Sequence, residues 1–368
     1  VLRDLGATSA ALDELLVYAH NPLASVPFPD PSLPLADEAH LADWDDYERE
    51  SRAEGVVPAL ARRLVQLRFP VEAGMSTRDD YRAATRRGLE PGTSAQPVRL
   101  ERPQSIELRL HPTAAGRIPI LTIPDREDFR TLVRAFSCRN EPEPVPDSMG
   151  ACIVSGLNNW DRVARHRRRF ERALGGGGSD EAWALEFQRL KPQKHLYQDR
   201  FLLLSTGPYS ALRAADVPMD EELWLAQSLA VRREHECFHY LTHRVFGLMR
   251  NHLQDELIAD LVGLLAVTGS YDGGLARRFL GVEDQGRFRP GGRLANYRGD
   301  PPLSVEAFGV LGSLARRCIA NLERAVDGQA GGLTDATGLA RFALDLYVRP
   351  LEDLAADDFS VTSPSSLG

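Results

Sequence analysis

DEELWLAQSLAVRREHECFHYLTHRVFG, residues 220–247, is the stretch on which the reading of this chain turns. From Asp220 to Gly247 it reads as one long helix. Inside it stand His235, Glu236 and His239, in the pattern His-Glu-x-x-His. On a helix the two histidines share a face, about 6 Å apart along the axis. Two imidazoles at that spacing can converge on one ion at roughly 2.0–2.1 Å from each nitrogen. Glu236 is turned about 100° from His235. It sits beside the ion without ligating it, where a general base must be to take a proton from a polarised water.

Two histidines are not enough, because a catalytic zinc takes three protein ligands and a water. His243 continues the series but lies about 12 Å along the axis from His235, too far for one ion. The metzincin spacing of a third histidine is absent, since Thr242, Arg244 and Phe246 stand where that motif needs other residues. Residues 251–268, NHLQDELIADLVGLLAVT, read as a second helix. In it Glu256 can ligate from a helix antiparallel to the first, with Asp255 and His252 as substitutes. Asp260 lies one turn on, where it can accept a hydrogen bond from the far nitrogen of a ligating histidine.

HECFH followed by ELIAD resembles the gluzincin group of zinc metallopeptidases, the thermolysin-like HExxH…ExxxD arrangement. The resemblance covers residues 235–260. It implies Zn2+ as cofactor, with His235, His239 and Glu256 as ligands, Glu236 as general base and Asp260 as the residue that holds a ligating histidine. The gap from His239 to Glu256 is shorter than in the usual pattern, and the GxMEN signature of the aminopeptidases has no counterpart upstream. The implied activity is zinc-dependent amide hydrolysis of a narrow, peptide-like substrate. The rival is a zinc enzyme doing lyase, cyclase or dehydratase chemistry on a small molecule in a bacterial biosynthetic pathway. A dimetal carboxylate oxidase would need a second ExxH element, which the sequence lacks. A non-catalytic protein carrying a relic of the motif is the remaining reading; there the two histidines are buried polar residues.

The oxyanion donor stays open among Tyr271, Tyr297, Arg298, His243 and His195. Segment 139–162, RNEPEPVPDSMGACIVSGLNNWDR, has prolines at 142, 144 and 146 and reads as a long extended loop. Its polar residues Ser148, Asn158 and Asn159, with Tyr297 downstream, are candidates to line a substrate cleft.

Elsewhere the pattern gives helices at 8–20, 37–66, 77–88 and 125–136, and two more near 303–326 and 335–355. SIELRLH (105–111) and IPILTI (118–123) read as a β-hairpin, and RFLLLST (200–206) as a buried strand. The expectation is an α+β protein, mostly helical, with a zincin-like catalytic core and a small upstream β-sheet. Residues 1–100 form a mainly helical region packed on a catalytic region of 101–368. GGGGS at 175–179 has the composition of a flexible linker and matches a common engineered one.

Composition narrows the function classes. The 368 residues carry a net charge of −8, which argues against a nucleic-acid binder. The basic run RHRRR at 165–169 reads as a solvated helix face. No apolar run approaches the roughly 18 residues that span a bilayer. Cys138, Cys152, Cys237 and Cys318 form no CxxC pair, so reduced thiols in a cytoplasm are expected. The chain starts at Val1 and not at Met, which leaves a removed leader open. Lysine occurs only at 191 and 194 while arginine abounds, a bias expected of a GC-rich bacterial source.

Overall fold

The computed structural model describes residues 1–91, 96–175, 178–248, 250, 252–283, 288–329, 333 and 335–361. Residues 176 and 177 of the GGGGS stretch lie outside these. The protein is α+β and mostly helical, with one four-stranded mixed sheet. Its contacts divide it into one unit of residues 1–35 and 207–368 and another of residues 36–206. These bounds differ from the division at residue 100 that the sequence pattern suggests.

The chain opens with α1 (Ser9–Ala19), which belongs to the first unit. The second unit then begins with α2 (Leu41–Glu54) and α3 (Val56–Ala61). Gly55 separates them at a φ of 91°, a backbone that side chains rarely adopt, so the expected helix over 37–66 is broken there. After α4 (Asp79–Arg87) come β1 (Glu107–His111) and β2 (Ile118–Ile123), the expected hairpin, paired antiparallel from Glu107–Thr122 to His111–Ile118. They are followed by α5 (Arg126–Ser137), β3 (Ala151–Asn158), α6 (Trp160–Ala173), α7 (Asp180–Leu190) and β4 (Gln198–Ser205). The strand order is β1-β2-β4-β3, with β2 and β4 parallel. Segment 139–162 is therefore not one irregular loop, because its second half forms strand β3.

The core of this unit packs α2 and α5 on the sheet through Trp44, Tyr47, Phe129, Phe136 and Phe201. Beside it lies a buried charge cluster. Arg162 donates to Asp43 at 3.0 Å and to Asp199 at 3.0 Å, and Trp44 and Asn159 donate to the other Asp199 oxygen at 2.9 and 2.7 Å. Most of the basic run on α6 is paired within the unit: Arg165 with Asp46 and Asp161, His166 with Glu186, Arg167 with Glu171 and Asp180.

His40, just before α2, is buried, and its Nε2 meets no partner among the described residues. Burial pushes its pKa down to about 4; Arg162 and Arg200 push the same way, and Glu38 opposes them. The unfolded chain takes up this proton near pH 6.5, the folded one only near 4. Stability from this residue is therefore complete above about pH 6.5 and is lost as pH falls towards 4, by about 3 kcal/mol in all. Urea unfolding of His40→Gln should be flatter than wild type across that window. An identical acid slope in both proteins would reject the assignment.

The first unit resumes with α8 (Glu221–Phe246), α9 (Leu253–Thr268), α10 (Gly273–Leu280), α11 (Val305–Asp327), α12 (Ala336–Val348) and α13 (Leu351–Leu354). Asp220 caps α8 by accepting from the Leu223 backbone, and Gly247 ends it with a left-handed φ of 67°. The helix expected over 335–355 stops before Pro350, which lacks the N–H to continue it. Helix α9 is apolar on nearly all sides and buries Leu257, Ile258, Leu261, Leu264 and Leu265. Such a helix belongs inside a bundle, and α9 packs against α8, α10, α11 and α12.

Candidate metal centre

The register between α8 and α9 places the site. Gly263 of α9 lies against Val231 of α8 so closely that a Cβ on it would stand 2.8 Å from the Val231 carbonyl oxygen. Val231 is one helical turn before His235. Residues 256, 260 and 263 form one stripe on α9, because helix neighbours recur at three and four residues. The glycine thus lets the antiparallel helices close, and the closure brings Asp260 opposite His235 and Glu256 opposite both histidines.

Three side chains converge. His235 Nε2 and His239 Nε2 are 3.1 Å apart. Glu256 Oε2 lies 3.4 Å from the first and its Oε1 3.4 Å from the second. A tetrahedral ion with bonds of 2.0–2.1 Å holds its ligand atoms about 3.3 Å from one another. The separations in this triangle of residues are close to that value, and its two nitrogens and one carboxylate could hold a metal ion. The three side chains are nearly buried.

On the far side of His235 a second set of groups fixes the ring. Nδ1 faces Asp260 Oδ1 at 3.0 Å and the Tyr209 oxygen at 2.8 Å. With its proton on Nδ1, a neutral His235 presents the Nε2 lone pair to the triangle. Tyr209 donates to Asp260 Oδ1 at 2.6 Å. Arg293 donates to Asp260 Oδ2 at 2.6 Å and to the Tyr209 oxygen at 2.7 Å, and its guanidinium reaches within 3.5 Å of Glu256.

The electrostatics follow from this burial. Burial raises the Glu256 carboxyl pKa, but the two histidines reverse the shift and hold it well below the usual carboxylate range. Asp260 behaves likewise, with Arg293 as the main opposing charge. Burial disfavours the His235 imidazolium, yet the bonds to Asp260 and Glu256 prevail and raise its pKa to about 9.

Of the other residues singled out in the sequence, Glu236 is half-buried, and its carboxylate makes no hydrogen bond or ion pair among the described residues. Tyr297 ends the short 3-10 helix Arg293–Tyr297 and is buried, which pushes its hydroxyl pKa up. Asp255 and His252 are not in the triangle. Asp255 points about one residue's turn away from Glu256 and binds Arg250 and the Tyr347 hydroxyl. His252 caps α9 and bonds the Tyr18 carbonyl. Tyr271 is buried, and its hydroxyl meets no partner among the described residues. In the other unit, Asn159 is buried as the N-cap of α6, with its amide on Asp199 and Tyr47, and Asn158 bonds Gln198.

Tyr209 and Arg293 went unnoticed in the sequence. They lie 26 residues before and 58 after His235, in a turn and a glycine-rich segment where no periodic spacing marks them.

The chain belongs to DUF7005, a family of unknown function, whose profile matches residues 1–358. No curated protein and no solved structure matches the chain.

Proposed function

We propose that this chain is a zinc-dependent metallohydrolase that cleaves an amide bond in a narrow class of peptide-like substrates. The observation that carries the reading is the triangle of His235, His239 and Glu256, with the uncommitted carboxylate of Glu236 next in sequence to a ligand. Two imidazoles and one carboxylate are a donor set of catalytic zinc, and they leave a fourth position open. Zinc held there would supply a Lewis acid that polarises a carbonyl and acidifies water. Glu236 would take the proton of the attacking water and return it to the departing amine nitrogen. Asp260 keeps the proton of His235 on Nδ1, so that Nε2 stays a ligand.

A second reading draws on the burial of the triad. A centre so little exposed also suits a small molecule, and the same groups would then serve lyase, cyclase or dehydratase chemistry. No helix among the described residues is long and apolar enough to cross a membrane, and the four cysteines are free thiols. A cytoplasmic setting is in keeping with both.

The deciding measurement is elemental mass spectrometry on wild-type protein purified without a histidine tag. About one zinc per chain is expected. A chain that holds no metal and takes none from a zinc buffer would overturn the proposal and leave the two histidines as core residues.

A further inference from the structure

We infer that Tyr209 is a positioning residue for the metal centre: its hydroxyl, clamped by Arg293, fixes the Asp260–His235 pair and so the direction of the His235 ligand nitrogen. The inference rests on the zinc reading of the triangle and adds to it a residue outside the HExxH and ExxxD pattern.

The geometry points to this in three ways. First, the hydroxyl is fully used at the place that matters. It donates to Asp260 Oδ1 at 2.6 Å, stands 2.8 Å from His235 Nδ1, and accepts from Arg293 Nη1 at 2.7 Å. A phenol that filled space alone would need none of these. Second, the ring is held from several sides. The Arg293 guanidinium lies 5.1 Å from its centre, that of Arg232 5.6 Å, and Phe279 meets it edge-on at 4.7 Å. Arg232 also accepts no freedom in the preceding backbone, since it donates to the carbonyls of Gly207 and Pro208 at 2.9 and 3.1 Å. Third, the backbone after Tyr209 is strained. Ser210 and Ala211 have φ of 52° and 54°, a left-handed conformation disfavoured for residues with a Cβ. Such strain persists where surrounding contacts over-determine the chain, and it gathers at functional sites.

The charge pattern gives the clamp a chemical sense. Arg293 bonds Asp260 at 2.6 Å and Tyr209 at 2.7 Å and stands farther from Glu256, at 3.5 Å, so its charge falls mainly on Asp260. A buried carboxylate that orients a ligating histidine must itself be satisfied. Here Oδ1 receives Tyr209 and His235, while Oδ2 receives Arg293. Without the hydroxyl, Asp260 keeps its charge partner but loses the donor that sets its angle to the imidazole.

The test is Tyr209→Phe, which keeps the ring and deletes the hydroxyl, measured on the full chain with zinc and with Co2+ as probes. Zinc affinity, read by competition with a chromophoric chelator, is expected to fall about tenfold. The visible spectrum of the Co2+ form should change, because the ligand field follows the imidazole direction. The thermal midpoint of the metal-free protein reads the structural share of the loss, expected at about a few degrees, and a merely structural role would move that midpoint without moving the Co2+ spectrum. Arg293→Lys, which retains the charge but not the fork, should lower affinity in the same direction. Zinc affinity within twofold of wild type together with an unchanged Co2+ spectrum would overturn the inference while leaving the metal reading intact. A wild-type chain that takes up neither zinc nor Co2+ would overturn both.

Discussion

Glu256→Gln is expected to lower zinc affinity by roughly a thousandfold while leaving the α8–α9 pair folded. Structural zinc sites bind with about 10–16 kcal/mol over four ligands, so one ligand carries roughly 2.5–4 kcal/mol, the upper end being about a thousandfold. Glu256 is the ligand whose loss should cost most, because it is the charged one of the three and the imidazoles are neutral when they ligate. Glutamine keeps the shape of the side chain and removes its charge. The readout is the thermal midpoint with and without zinc. At a zinc concentration a hundred times the wild-type dissociation constant, binding stabilises the wild type by about 2.7 kcal/mol. The variant, a thousandfold weaker, should not respond at that concentration. If the histidines were only core residues, the pattern would differ. Zinc would then move neither midpoint.

The long helices and the candidate triad were legible in the sequence for one reason: both are written in local spacing. The expected helix at 220–247 is observed at Glu221–Phe246, and that at 251–268 at Leu253–Thr268. The sequence reading put Glu256 first with Asp255 and His252 as substitutes, and the structure brings Glu256 to the histidines while the other two face elsewhere. Strand β3 was hidden because it is an edge strand whose alternation breaks at a bulge between Ser155 and Leu157, where Gly156 has a φ of 75°. Helix α7 buries only Leu190 and so lacks an apolar stripe, and α10 is eight residues long and starts on glycines. Tyr209 and Arg293 could not be read at all. What joins them to Asp260 is the packing of four separate segments, and a single sequence carries no periodicity for that.

Glu236→Gln is expected to keep about one zinc per chain and to lower turnover by roughly a hundredfold to ten-thousandfold, the usual share of a proton-transferring residue. The argument rests on what Glu236 does not do. Among the described residues its carboxylate caps no helix, pairs with no cation and is only half-buried. A structural account therefore gives it no task, and glutamine in its place should cost the fold little. Its neighbours in the pattern are the opposite case: His235 and His239 are buried and bonded to groups on another helix. Turnover can be read as new primary amine released from a peptide pool incubated with the zinc-loaded chain, and zinc content by elemental mass spectrometry. Loss of turnover with zinc retained assigns the proton transfer to Glu236. Loss of zinc would make Glu236 a ligand and break the parallel with the HExxH pattern. Unchanged turnover with zinc bound would mean that another group moves the proton, and Tyr271, with a buried hydroxyl that meets no partner among the described residues, would be the next to replace.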